Sequence, residues 1–386
     1  MIVERMRPSD VLKDPNFRKL TPEEEKEVSA LYRKDLLAGL HSKPSSLAMI
    51  PSLLSPVDIT RLPKGKKALV LEIGGTHLYG GHFSVQNGIP IVKRGLKIEM
   101  KRKQFDNVND FFEMLSLELS PILADMEPDA LGVVFSFSGN AVETARGVDV
   151  VSKHDEKLSK GIVIPGIGSG PIGELLLDAL SKKYNYSENM PVVTTNDTVA
   201  VALSAGTSMG VIVATGFNLA VKTSQGIINT ESGGFDKLPT HELVRTVDQE
   251  STTPGRGLAE KQISGAYLGQ QFALATGSAD RSSERISEIL KQIDGEEECR
   301  VAQILRERSS QIVGIMLGTV INTFPESFTG ESIDIPVEGS LFWNMVGYPG
   351  FTKAFTERIS GKKINFLQIP ESGRVGIGLA ALSFVK

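Results

Sequence analysis

The 386-residue chain carries one cysteine, Cys299, so an internal disulfide is excluded and a reducing compartment fits. Cys299 sits at a charged helix start and reads as structural rather than reactive. Positive charge is not in excess. The net charge of −4 gives no support for a nucleic-acid or anionic-membrane surface. No apolar run of about twenty residues is present, so no membrane span is expected. No charged-then-apolar signal segment opens the sequence, and the expectation is a soluble, cytoplasmic protein. The histidines His41, His77, His82, His154 and His241 are scattered, and none is assigned to a metal.

What is present is ordinary for a globular protein, with 40% hydrophobic and 23% charged residues. The length exceeds the usual single domain, so two domains with a cleft between them are expected. Thr21-Pro22-Glu23-Glu24 predicts a helix start: Thr21 caps, Pro22 takes the first position and Glu24 completes a capping box. Val28, Leu31, Tyr32 and Leu36 continue it to about Gly39. Residues 42–67, rich in Pro and Ser, read as an extended linker. Helical spacing marks 107–125 and 174–183, and 130–137 reads as a buried strand. The glycines of 165–173 are wrongly spaced for a dinucleotide fingerprint, and that stretch reads as a mobile loop. Residues 248–257 read as a polar loop, 277–295 as a generic polar stretch, 296–324 as one long helix and 333–339 as a strand. From Gly373 a helix of small residues permits close approach of a nucleotide base, or tight helix packing.

Three patterns carry chemistry. The first is Thr194-Thr195-Asn196-Asp197-Thr198, between a β-branched strand and an apolar helix. A carboxylate there lies where α/β proteins open their ligand crevices and can accept a proton from a bound hydroxyl; the competing reading is a helix cap. The second is an apolar strand ending at Glu72, a turn through Gly74-Gly75-Thr76, a return strand, and a hairpin turn at Gln86-Asn87-Gly88. Such glycines let backbone N–H groups cradle phosphate oxygens, with Thr76 adding a hydroxyl. Glu72 beside that phosphate can hold Mg2+ directly or through water. The third repeats the second: Val211 to Lys222 is again strand, Gly turn and strand, followed by Ser224-Gln225-Gly226. A matched pair of hairpins indicates two similar half-molecules and can grip a nucleotide's phosphates from both sides.

These segments resemble, in order and over nearly the whole chain, the hexokinase family of the eukaryotic hexokinase and glucokinase type. Tyr32 to Leu40 and Ser46 to Pro51 match its opening helix and linker, Glu72-Ile-Gly-Gly-Thr its first phosphate loop and Ala214-Thr-Gly-Phe-Asn its second. Phe135-Ser-Phe, Leu158-Ser-Lys-Gly, Asn196-Asp-Thr-Val, Asn229-Thr-Glu, Pro254-Gly and Glu260-Lys-Gln-Ile-Ser-Gly match its sugar-binding segments. Val337-Glu-Gly-Ser and the terminal helix match its adenosine site. The resemblance implies an α/β, two-domain actin-like ATPase (ribonuclease H-like) fold that closes on sugar and ATP. It places a small domain at 65–195, with 375–386 returning to it, and a large domain at 1–64 and 196–374. It implies transfer of the γ-phosphate of ATP to the 6-hydroxyl of a hexose, glucose first, with mannose or fructose as further candidates. Sugar contacts are implied at Ser136, Ser159, Lys160, Asn196, Asp197, Asn218, Glu231 and Glu260, with Asp197 as base and Lys160 neutralising phosphate charge. Gly74, Gly75, Thr76 and Thr215 are implied around the phosphates, Gly339 and Ser340 beside adenosine, and Glu72 at Mg2+.

This sequence departs from the family pattern on the phosphate side. Glu72 replaces Asp, His77 and Tyr79 stand where Asn and Arg are usual, and Leu158-Ser159 stand for Trp-Thr. Ser138 replaces a Pro and Ser232 a Trp. The competing readings are a catalytically weak sugar sensor or regulatory protein, and an actin-like assembly protein, which has no need of Glu231 and Glu260 beside Asn196-Asp197.

Overall fold

The computed structural model describes residues 7–74, 76–100, 104–124, 126–137, 139–152, 162–292 and 296–386. By its contacts the chain divides into two units. The first comprises 1–49, 211–219 and 230–368, the second 50–210, 220–229 and 369–386. The sequence-based domain bounds differ from this division chiefly at 50–64 and 196–210, which here belong with the second unit. Local pairing accounts for both. Ile50 and Pro51 form a strand against Asn229 and Ile228, and the helix Asp197–Ser204 packs on Ser372–Ser383.

The strands of the second unit are β1 (Ile50–Pro51), β2 (Lys67–Ile73), β3 (His77–Gln86), β4 (Ile89–Glu99), β5 (Ala130–Phe135), β6 (Asn140–Thr144), β7 (Gly147–Val151) and β8 (Val192–Asn196). Seven of them form one sheet in the order β4-β3-β2-β5-β8-β7-β6. β2, β5, β8 and β7 run parallel, while β3, β4 and β6 are added antiparallel. The continuous apolar run of β5 reflects burial on both faces, as parallel strands require. Leu69, Leu71, Leu131 and Val133 face Phe111, Leu115, Leu176 and Leu180 of the helices Val108–Glu118 and Ile172–Tyr184. Ala68, Val70, Ala130 and Val134 face Val199, Leu203 and Ile377 of the helices Asp197–Ser204 and Ser372–Ser383. Each buried Val, Leu, Ile or Phe among them contributes about 1.5–3 kcal/mol. The Asn87-Gly88 turn joins β3 to β4 with φ of 52° and 78°, the left-handed pair that a tight hairpin demands.

The terminal helix uses its small residues for packing. A Cβ on Gly376 would lie 1.9 Å from the Ala200 carbonyl oxygen, and one on Gly378 2.3 Å from the Phe83 ring. Of the two expectations for that stretch, tight packing is the one found.

The first unit adds β9 (Met209–Val213) and β10 (Phe217–Thr223), both cut by the division, then β12 (Ser332–Glu338) and β13 (Lys363–Leu367), numbered past β11 (Gly226–Asn229) of the second unit. β12 pairs parallel with β13 and, through Val337 and Glu338, with Val211 and Ile212 of β9. Helix Glu296–Thr323 is its spine, packed closely on Tyr348–Ser360 and Pro22–Leu40. The capping box at Thr21 and Glu24 is formed from both sides.

Several local expectations are corrected. The stretch 107–125 is not one helix: Val108–Glu118 ends before a short turn, Ser120–Leu123, that opens on Pro121. Asp248 lies inside the helix Glu242–Glu250, so the polar loop is shorter than 248–257. The polar 277–295 contains the helix Ser283–Lys291, whose Ile286 and Ile289 are buried. Among the described residues no helix is long and apolar enough to cross a membrane.

Candidate functional site

In the second unit, strand register builds the site. Ile73 pairs with Phe135 and Phe135 with Asn196, so β2, β5 and β8 end level with one another. Glu72, Ser136, Asn196 and Asp197 therefore cluster at the carboxyl edge of the parallel strands, where α/β folds bind ligands. Ser136 N–H donates to the Ile73 carbonyl at 3.4 Å. Asn196 is the true N-cap: its Oδ1 accepts from Thr198 N–H at 3.0 Å, and its Nδ2 donates to the Phe137 carbonyl at 3.3 Å. Asp197 is the first helical residue. Its Oδ1 accepts from Thr198 N–H at 2.7 Å and from the Thr198 hydroxyl at 3.2 Å. Capping and carboxylate are thus divided between neighbours, Asn196 and Asp197.

The phosphate-type hairpin closes locally. Gly74 N–H donates to the His77 carbonyl at 2.9 Å, and the Thr76 hydroxyl meets His77 Nδ1 at 3.1 Å. The His77 ring lies 5.9 Å from that of Tyr79. Gly75, Ser138, Ser159 and Lys160 lie outside the described residues.

In the first unit, side chains build the site. Asn218 Oδ1 accepts from the N–H of Leu219 at 2.8 Å and of Ser232 at 3.1 Å, while its Nδ2 donates to Glu231 Oε1 at 3.4 Å. Glu231 has φ 55°, a left-handed conformation that costs a non-glycine residue about 1–3 kcal/mol and persists only when its surroundings impose it. They do. The next residue, Ser232, is hydrogen-bonded at 2.5 Å both to the buried Tyr32 hydroxyl and to Thr230 Oγ1. Burial pushes the Tyr32 phenol far above its ordinary value, so it stays protonated.

Glu260, in the short helix Leu258–Ile263, lies against glycines of the same unit. A Cβ on Gly216 would meet its Oε1 at 2.9 Å and one on Gly233 its Cβ at 3.2 Å. Behind it the ammonium of Lys261, 1% exposed, donates to Asp248 Oδ1 at 2.6 Å and to the Thr253 carbonyl at 2.8 Å. Burial would raise the Asp248 carboxyl; Lys261 and the Gly255 amide outweigh it and hold the group below its usual value. Thr215 is exposed in the β9–β10 turn, onto which helix Gly265–Thr276 docks with Gly265 N–H donating to the Ala214 carbonyl at 2.8 Å. Gly339, at φ 132°, ends β12 in front of the exposed Ser340. Its missing Cβ would lie 2.1 Å from the Val213 carbonyl oxygen and 2.9 Å from Ala214 Cβ. Thr215, Gly339 and Ser340 are thereby gathered at one end of this unit's sheet.

Of the residues named from the sequence, Glu72, Ser136, Asn196 and Asp197 come together in the second unit. Asn218, Glu231 and Glu260 come together in the first, and so do Thr215, Gly339 and Ser340. Sequence reasoning missed the supports: Tyr32 and Ser232 behind Glu231, Lys261 and Asp248 behind Glu260, and Arg374 near Glu72. All of them stood inside or beside segments already singled out, but none had been given a supporting role. Among the described residues no group of three or more His, Cys, Asp or Glu side chains is arranged to hold a metal. The single carboxylate of Glu72 nonetheless fits Mg2+, which keeps several waters and is bound by one or two carboxylates together with substrate phosphates.

The family model described as hexokinase matches residues 208–282. Hexokinase-2 of Saccharomyces cerevisiae is 26% identical over 294 residues, covering 64% of this chain and 56% of its own length. Hexokinase-1 of Homo sapiens is 23% identical over 440 residues, covering 93% of this chain and 46% of its own. The chain thus spans about half the length of the curated relatives it matches. The structure of a Schistosoma mansoni hexokinase complexed with glucose superimposes with a TM-score of 0.79 at 18% identity, covering 97% of this chain and 98% of that one. Another hexokinase crystal structure gives 0.74 at 19% identity. The fold is accordingly the two-domain, actin-like α/β fold. By its matched segment, its curated relatives and its fold, the chain is similar to hexokinases.

Proposed function

We propose that this chain is a hexokinase, transferring the γ-phosphate of ATP to the 6-hydroxyl of a hexose, glucose first, in a reducing cytoplasm. The observation that carries the reading is Asp197 at the level ends of three parallel strands, held at a helix start by Asn196 and Thr198. Ser136 and Asn196 are sugar contacts of the second unit, and Asn218, Glu231 and Glu260 those of the first. Ser159 and Lys160, assigned from their motif, complete that set. Each hydroxyl of a hexose needs a donor or acceptor, and a hexose lacking one leaves a buried polar group unpaired.

Asp197 accepts the proton of the 6-hydroxyl as that oxygen attacks phosphorus, a role for which its place at the level strand ends suits it. Lys160, assigned from its motif alone, would neutralise charge spread over the transferring phosphoryl group. Gly74, Gly75, Thr76 and Thr215 are assigned to the ATP phosphates from their motifs, Gly74 by shaping the turn since its N–H is held by the His77 carbonyl, and Gly339 and Ser340 are assigned beside adenosine. Glu72 would hold Mg2+, which when bound neutralises phosphate charge. Little covalent chemistry is asked of the protein; positioning and charge stabilisation do the work.

The test is ADP release with Mg-ATP and a panel of glucose, mannose and fructose, for wild type beside Asp197→Ala. The expected result is sugar-dependent turnover that falls by about 10²–10⁴-fold in the variant with the melting temperature kept. Wild-type turnover in the variant would remove the base assignment. Sugar binding without any turnover would leave a sugar sensor.

A further inference from the structure

Arg374 is a cation to which the sequence patterns gave no role. It stands in the first turn of helix Ser372–Ser383 and is 7% exposed. Its guanidinium is fixed on two sides. One edge donates from Nη2 to Glu371 Oε1 at 2.7 Å, and the flat face covers the Tyr79 ring at 5.4 Å from the centroid. A planar fork held at an edge and a face has its remaining direction determined. That direction is Glu72: Arg374 Nε lies 4.0 Å from Glu72 Oε2, and this buried Nε makes no hydrogen bond. The preceding residue, Gly373, clears the approach. A Cβ there would lie 3.3 Å from Glu72 Oε2, so the carboxylate packs directly on the first turn of the helix, whose dipole also favours negative charge.

We propose that Arg374 is the positioning residue of Glu72, locking a side chain one methylene longer than aspartate into a single direction toward the nucleotide's cation. The ring of Tyr79 is part of the device, because it holds the guanidinium in plane. Glu72 lies at the end of β2, where its backbone is fixed by pairing with both β3 and β5, so its side-chain direction is set by the groups packed against it, Arg374 among them. Electrostatic attraction at 4.0 Å, partly screened, suffices to bias them without a direct hydrogen bond. This inference rests on reading Glu72 as the residue that faces Mg2+.

The full chain is titrated with Mg2+ while ADP binding is followed by calorimetry, for wild type, Glu72→Gln, Arg374→Met, Arg374→Lys and the double variant Glu72→Gln with Arg374→Met. Melting temperature is recorded for each. Arg374→Met is expected to raise the Mg2+ concentration for half-maximal binding by about 10-fold, the typical cost of losing a residue that orients a metal ligand. Arg374→Lys, which keeps charge and folding but not the fork, should give an intermediate rise. In the Glu72→Gln background, Arg374→Met should add nothing. A shift with Glu72→Gln but none with either Arg374 variant would overturn the inference and leave the function standing. No shift with Glu72→Gln would remove the metal assignment and this inference with it.

Discussion

The two units place their candidate residues by different means. In the second, Glu72, Ser136, Asn196 and Asp197 are set by backbone register: strands that end level leave no choice about where the next residues go. In the first, Asn218, Glu231 and Glu260 are set by polar side chains, namely the buried Tyr32, Ser232 and Lys261 and the half-buried Asp248. Register is enforced by many weak, redundant contacts, whereas a polar network of a few members fails when one is lost. The first unit should therefore be the more sensitive to single conservative changes remote from any ligand.

The largest test of that difference is Lys261→Met. Breaking this half-buried pair leaves the Asp248 carboxylate without its cation and should cost about 2–3 kcal/mol, read as a lower urea midpoint, with weakened sugar binding through Glu260. A near-silent Lys261→Met would collapse the contrast.

Acid sharpens the comparison next. Burial, reinforced by Arg308, pushes the His241 imidazole of the first unit down to about 3. The unfolded ring takes a proton near pH 6.5 and the folded ring does not until about 3, so stability is lost as pH falls through that window. About 2 kcal/mol should be gone by pH 5, relative to His241→Gln, in urea titrations across pH. The buried carboxyl of the second unit, Asp149, behaves oppositely. Burial raises it against the pull of the Gly173, Val150 and Glu174 amides, so the folded form takes its proton more readily and acid does not add to the loss.

A matched pair makes the smallest and most discriminating test. Tyr32 and Tyr186 each carry a buried hydroxyl, the latter bonded to the Leu123 carbonyl at 2.9 Å. Tyr32→Phe and Tyr186→Phe should each cost about 1–2 kcal/mol in thermal unfolding. Only Tyr32→Phe should also raise the sugar Kd, because only that hydroxyl braces the turn at Glu231. Equal effects on Kd would mean that the side-chain network is not what places the residue.

The same contrast explains what was legible in the sequence. The capping box at Thr21, the Asn87-Gly88 turn and the strand-to-helix junction at Asp197 depend on neighbours within a few residues, and each stands as expected. Tyr32 and Ser232 are 200 residues apart and Arg374 is far from Glu72, so no local pattern announces either pair. β6 and β7 escaped notice because their short segments carry little apolar periodicity, as did β13 and helix Tyr348–Ser360 near the end of the chain. Helix Ser283–Lys291 was hidden by its polar outer face.

Asp149 bears on the order of assembly. The helix Ile172–Tyr184 begins at Pro171, which offers no side-chain acceptor, and its Gly173 and Glu174 amides are instead held by the Asp149 carboxylate at 2.9 and 2.8 Å. Its amino end cannot be finished until β7 has arrived. Slow hydrogen exchange at Gly173 and Glu174 would then report the docking of that strand rather than the helix itself, making those amides a clock for the closing of the sheet edge.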